Sequence, residues 1–180
     1  ENIIDVLPAS DFQLSAISHS MMKTHGLVNY LFLDGEGEVP WDRAFIQEAW
    51  GLFLQAHQIL RTVFAAHRDR FYQVVLQEVV QPIEWYEVKG EIEPFSLNLC
   101  KEDVDKHLPL GTPLTQLTVV SNQKRHRIIL RVSHAQYDGV CLPRIWQSFQ
   151  DVLSGRTPAP EVPFCQFIAN IQLGSQDSQT

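Results

Sequence analysis

The stretch from Arg131 to Leu142, Arg-Val-Ser-His-Ala-Gln-Tyr-Asp-Gly-Val-Cys-Leu, brings together residue types that could do chemistry. A histidine in a loop can take and return a proton near neutral pH, because imidazole titrates in that range. Asp138 and Gly139 read as a turn: aspartate accepts from the backbone N–H groups of a starting helix, and glycine tolerates positive φ and lets another backbone or a substrate approach closely. Ser133 beside His134 invites a nucleophile pair, but the run before it argues against one. Arg127 to Ser133 suits a buried strand, and on a strand neighbours face opposite ways. His126, Ile128, Leu130 and Val132 share one face, Arg125, Arg127, Ile129, Arg131 and Ser133 the other, so His134 continues the apolar face and Ser133 points away from it. A Ser-His nucleophile pair is therefore not expected. A metal centre is not expected either, since His134 and Asp138 alone leave a tetrahedral site unfilled. Spacing alone is equally compatible with a strand, an Asp-Gly turn and a helix that happen to have a histidine nearby.

The flanking elements must hold this loop. Beyond Gly139, Leu142, Ile145, Trp146, Phe149 and Leu153 form an apolar helix stripe that stops at Gly155, and the positive end of that helix could stabilise negative charge beside His134. After Pro40, a second helix places Phe45, Ala49, Leu52, Phe53, Ala56 and Leu60 on one face, with Asp42 at its positive end. Leu7 to Gln13 starts an earlier helix with Ser10 as cap and Phe12, Leu14 and Ile17 inward. Strands are expected over Leu27–Asp34, Thr62–Ala66, Phe71–Leu76, Ile83–Val88 and up to Val120. Trp85 and Tyr86 should face opposite sides of their strand. Glu91–Pro94 reads as loop and Asn98–His107 as a short helix with Leu99 and Val104 inward. The basic run Lys124-Arg125-His126-Arg127 fits a solvated hairpin tip better than an anion site. Thr157–Pro163 is a Pro-rich linker, and Phe164–Ile171 a last helix candidate. Helices interleaved with hairpins predict a two-layer α/β sandwich built on one mainly antiparallel or mixed sheet.

Composition sets outer bounds. The chain has 180 residues with 44% hydrophobic and 19% charged, enough for one domain with a core. Its 14 Lys plus Arg against 21 Asp plus Glu, a net charge of -7, argue against nucleic acid or an anionic membrane as partner. Cys100, Cys141 and Cys165 are too scattered for a disulfide framework or a zinc site. No signal-peptide pattern is visible, and no apolar run approaches the ~20 residues of a membrane helix. A soluble cytoplasmic protein is the expectation.

Ser133-His134-Ala135-Gln136-Tyr137-Asp138-Gly139 resembles the His-His-x-x-x-Asp-Gly signature of nonribosomal peptide synthetase condensation domains, in the Ser-His form typical of fungal terminal condensation-like domains. His57 followed by Leu60-Arg61-Thr62-Val63-Phe64 resembles that family's second core motif, and Pro8, Ser10 and Gln13 match its first. Phe164–Ile171 is loosely similar to the next one. The resemblance implies a chloramphenicol-acetyltransferase-like fold. It also implies that residues 1–173 form the N-terminal lobe of a two-lobed domain and that the C-terminal lobe lies outside this chain, while the polar tail 174–180 is expected to be disordered as termini commonly are.

The same resemblance implies a mechanism and partners. His134 is similar to the active-site histidine, in a tunnel between the lobes, where it would act as general base or as hydrogen-bond orienter of the amine and oxyanion. Arg61 would pair with Asp138 by analogy with the family's motifs. A guanidinium forking onto that carboxylate would pin the loop; the residues alone also allow Arg61 simply to complement the negative end of its own helix. Gly139 would keep the tunnel open, and Ser133 would make a structural hydrogen bond behind the loop. The implied partners are a peptidyl carrier protein domain, whose phosphopantetheine arm delivers the thioester, and the second lobe. No cofactor is expected to be bound by the chain itself. The implied reaction is release of a peptidyl thioester by an amine of the same chain, giving a macrocycle. A coenzyme-A-dependent acyltransferase, which shares His-x-x-x-Asp-Gly, and a non-catalytic lobe that docks a carrier are the alternatives.

Overall fold

Two short sheets, where one was expected, carry the helices. The computed structural model describes residues 2–22, 27–106, 109–159, 163 and 165–166. In chain order these form β1 (Ile3–Pro8), α1 (Asp11–Met22), β2 (Val28–Glu36), α2 (Arg43–Ala56), a 3-10 turn (Gln58–Arg61), β3 (Thr62–His67), β4 (Arg70–Leu76), β5 (Glu84–Glu87), α3 (Ile92–Val104), β6 (Gln116–Ser121), β7 (Arg125–Ser133) and α4 (Cys141–Leu153). The first sheet is antiparallel with order β1-β4-β3; the second runs β2-β7-β6-β5 and is mixed, because β5 lies parallel to β6.

The strand ahead of the His134 loop is the centre of the second sheet. β7 pairs with β2 from Val28 opposite Ser133 to Glu36 opposite Arg125, and with β6 on its other side. The expected alternation holds along it. Ile128, Leu130 and Val132 pack under α2 and α4 with Ile46, Trp50, Phe53, Ile145 and Phe149, while Ile129 joins Ile92 and Val120 under α3. Trp85 and Tyr86 likewise go to these two opposite clusters. The strand is covered on both faces, so its hydrogen bonds to β2 and β6 sit out of water, which makes it a rigid base for the loop that follows.

Several expectations are corrected. β1 was not foreseen; it is a short edge strand whose Ile3, Ile4 and Val6 stay exposed, so its burial pattern carries little signal. Asp42 lies at the positive end of α2 as expected and there caps it, Oδ1 accepting from Phe45 N–H at 2.7 Å, but the helix buries Ile46, Ala49, Trp50, Phe53 and Leu54 and leaves Leu52 50% exposed. Its apolar arc is broad, so periodicity fixed its rotation only in part. Trp50 helps set it, because the indole N–H donates to Gln81 O at 3.2 Å. Ile17 is buried as expected, but Phe12 is 48% exposed, and Gln13 is buried.

α3 begins at Ile92, not Asn98, and carries Pro94 in its first turn, where the missing N–H is no loss. The basic run is not a solvated tip beyond Lys124. Arg125 pairs with Glu93, and Arg127, buried, forks onto Asp34 at 2.5 and 2.7 Å over the face of Phe32. Of the expected last helix only Cys165 and Gln166 are described, both helical; the rest of Phe164–Ile171 and the tail 174–180 lie outside the described residues. Among the described residues no helix is long and apolar enough to cross a membrane.

Candidate active site

His134 stands where the β2–β7 ladder ends, with its backbone N–H donating to Leu27 O at 2.7 Å. Its half-buried ring lies flat on Tyr137, centroids 4.7 Å apart, and takes the edge of Phe12 at 5.1 Å. Nδ1 is 3.2 Å from Tyr137 O. A carbonyl only accepts, so this bond needs a proton on Nδ1, and in the neutral ring that leaves Nε2 as the acceptor. Among the described residues Nε2 has no hydrogen-bond partner. The ring is thus held from three directions, and its proton-accepting atom is left over for chemistry.

Ser133 points the other way, as alternation requires. Its Oγ accepts from Ala135 N–H at 3.3 Å, a structural bond behind the loop. Ser133 and Ala135 also line a cavity of about 60 Å³ with Ile17, Val28, Phe64 and Leu114. No Ser-His pair exists here, in agreement with the strand geometry.

The expected ion pair between Arg61 and Asp138 does not form. Arg61, 5% exposed, gives its Nε to Leu54 O at 3.0 Å, its Nη1 to Leu76 O and to Gln77 O, the latter at 3.0 Å, and its Nη2 to Gln55 O at 3.5 Å. Two of these carbonyls belong to the last turn of α2, so Arg61 complements the negative end of its own helix and staples it to the end of β4. Burial lowers its guanidinium pKa. Asp138 is exposed and turned toward α4. Its Oδ1 accepts from Cys141 N–H at 2.7 Å and Val140 N–H at 2.9 Å. Those bonds hold its carboxyl below the usual range, the Cys141 N–H first, then the Cys141 thiol, then the Val140 N–H. The positive end of α4 is therefore occupied by Asp138, which corrects the expectation that it faces charge at His134. Gly139 has no left-handed φ, and a Cβ there would meet nothing within 4 Å.

Three glutamines that the sequence reading did not single out as site residues complete the loop's support. Gln136 is buried and bridges Ser133 N, Thr115 Oγ1 and Ile59 O. Gln13 Nε2 reaches Ala135 O at 3.4 Å and the buried Gln73 Oε1 at 3.3 Å, and Gln73 Nε2 donates to Pro8 O at 3.0 Å. Gln13 also closes a capping box, taking Ser10 N–H at 2.9 Å while its own N–H donates to Ser10 Oγ at 3.3 Å. That Ser-x-x-Gln spacing was the available signal for Gln13. Nothing local announces Gln73, or the hold of Gln136 on Thr115 and Ile59, which lie far away in sequence.

The condensation domain family model matches residues 3–180, and the chain belongs to that family. Among its relatives is the nonribosomal peptide synthetase nlsA of Emericella nidulans, 34% identical over 88% of this chain, which in turn covers 3% of that protein. Among solved structures, the condensation domain of the monacolin K polyketide synthase MokA superposes with a TM-score of 0.76 at 14% identity, over 99% of this chain and 41% of that one. A structure described as a CT mutant gives a TM-score of 0.79 at 20% identity, over 93% and 38%. The fold is the chloramphenicol-acetyltransferase-like one of condensation domains. The chain spans less than half the length of these solved structures.

Proposed function

We propose that this chain is the N-terminal lobe of a nonribosomal peptide synthetase condensation domain and that His134 serves amide-bond formation on a carrier-bound thioester. The observation that carries this reading is the single-sided hold on His134: Nδ1–H is committed to Tyr137 O, and Nε2 is left to accept. An amine attacking the thioester carbonyl forms a C–N bond and a tetrahedral zwitterion. Nε2 takes the ammonium proton, the C–S bond breaks, and the proton passes to the departing pantetheine thiolate. Orienting the amine through the same Nε2 uses the same geometry. The phosphopantetheine arm belongs to the carrier domain, so this reaction asks for no cofactor held by the chain.

Ser133 favours the terminal, cyclising subtype, in which the amine belongs to the same peptide and the product leaves as a ring. Its buried side chain, turned away from His134, fits a structural role there. Arg61 and Asp138 then support the site indirectly, each anchoring a different element, and Gly139 leaves open space beside the loop. The partners in this reading are a peptidyl carrier domain and the second lobe. Mass spectrometry of a peptidyl-pantetheine thioester on its carrier, incubated with this chain and the complementary lobe, tests it. Cyclic product that depends on His134 supports the cyclising reading, whereas linear condensation with a free amine supports only the coarser one. Transfer from a coenzyme-A thioester alone would overturn both, and carrier binding without turnover would leave a docking lobe.

A further inference from the structure

The Gln136 amide is 2% exposed and engaged at both ends. Its Oε1 accepts from Ser133 N–H at 3.1 Å and from the Thr115 hydroxyl at 3.1 Å, and its Nε2 donates to Ile59 O at 3.1 Å. Its own backbone N–H donates to Ser133 O at 2.8 Å. Ile59 O can only accept and Ser133 N–H can only donate, so the partners fix which end of the amide is which. Ile59 sits in the 3-10 turn that leads into β3, and Thr115 immediately precedes β6. One side chain therefore fastens the His134 loop to both sheets.

The next residue, Tyr137, supplies both the carbonyl that binds His134 Nδ1 and the ring on which the imidazole lies. Where that carbonyl points decides which ring nitrogen carries the proton. Tyr137 O lies in the following peptide, between Tyr137 and Asp138, whose N–H donates to Cys141 Sγ at 3.1 Å; the Gln136 anchor fixes where the chain enters Tyr137, and the carbonyl is aimed from there. We propose that Gln136 is a positioning residue that, by tying the 133–137 loop across the two sheets, selects the Nδ1–H tautomer of His134 and keeps Nε2 as acceptor. The link to turnover rests on the amide-forming reading; the link to tautomer does not.

Long-range proton–nitrogen NMR of the 15N-labelled chain reads the His134 tautomer directly. Wild type should carry the proton on Nδ1, Gln136→Leu should move it toward Nε2, and Thr115→Val, which removes one donor to Oε1, should fall between. Thermal unfolding of the same samples identifies any variant that is not folded. In the reconstituted cyclisation assay Gln136→Leu should lower kcat by about a hundredfold, the scale of a misplaced reacting group, with KM changed less than about twofold, because the loop and not the binding surface is disturbed. A folded Gln136→Leu with the wild-type tautomer and kcat would overturn the proposal, as would a wild type already protonated on Nε2. Should Gln136→Leu fail to fold, an unchanged tautomer in Thr115→Val overturns it equally. A wild type that never turns over would refute the amide-forming reading instead, and the tautomer shift would still decide this one.

Discussion

At its Arg125 end β7 is held by charge, and at its His134 end by neutral amides. Arg125 meets Glu93 and Arg127 forks onto Asp34; further along the same face, Arg131 Nε lies 2.6 Å from Asp103 Oδ2, off its N–H axis and so as a charge contact, while its Nη1 donates to Leu114 O at 2.7 Å. From Ser133 onward, among the described residues, no charged side chain bonds the loop until Asp138, and Gln136 and Gln13 take over. Charge pairs suit a strand whose polar face must be closed against α3. Amides suit a loop that presents an imidazole, because they fix geometry without placing a full charge beside it, which is what the proposed role of His134 as proton acceptor would need.

The largest effect should come at the amide end. His134→Ala is expected to lower turnover by about 10²–10⁴-fold, the usual range for a general base, with little change in unfolding midpoint, since the ring packs on Tyr137 and Phe12 at a half-buried surface. A comparable loss of stability would mean that the ring is structural. Next comes Arg61→Ala, expected to cost about 3 kcal/mol in urea unfolding, because buried carbonyls lose their donors. Asp138→Ala, the loss of a helix cap, should cost about 1 kcal/mol. The two should add to within about 0.5 kcal/mol, as independent sites do; a coupling well above that would restore the ion pair between them.

At the charged end, Gly35→Ala should cost about 2 kcal/mol by overpacking, because a Cβ there collides with the His126 ring. A neutral result would show that His126 swings aside and that this end is looser than its packing suggests. The smallest effect concerns pH. Arg127 first, against some opposing burial, holds the Asp34 carboxyl below its usual range. Its contribution to stability is therefore complete above the unfolded value, about pH 4, and is lost as pH falls through the lowered folded value. The penalty of Asp34→Asn, measured by denaturant unfolding, should shrink on acidification while the penalty of Thr115→Val stays level. Equal shrinkage of both would erase the distinction between the two ends.

Particular residues show where sequence reading reached. The His-x-x-x-Asp-Gly spacing and the two faces of β7 were legible, because alternation on a strand is a local geometric rule. Asp42 at the positive end of α2 and the β3–β4 hairpin were legible because those signals too are local. The rotation of α2 was legible only in part: Ala49, Phe53 and Leu60 go inward as read, but its apolar arc is broad, and packing together with the Trp50 bond to Gln81 O turned Ile46 and Trp50 inward and Leu52 outward. Arg61 and Asp138 were read as partners because their motifs belong together; each found nearer partners in the ends of its own helix.

By itself, then, the sequence determined most of the elements, though not β1 or the start of α3, together with the orientation of Ser133 away from His134 and membership of the condensation family through three ordered motifs. Tertiary structure alone decided that the strands divide into two sheets, that Gln136 and Gln13 hold the loop between them, and that Tyr137 O takes the Nδ1 proton. Periodicity and capping act over a few residues and are written in the chain locally. A buried amide finds its partners across tens of residues, and only the packed fold brings them within reach.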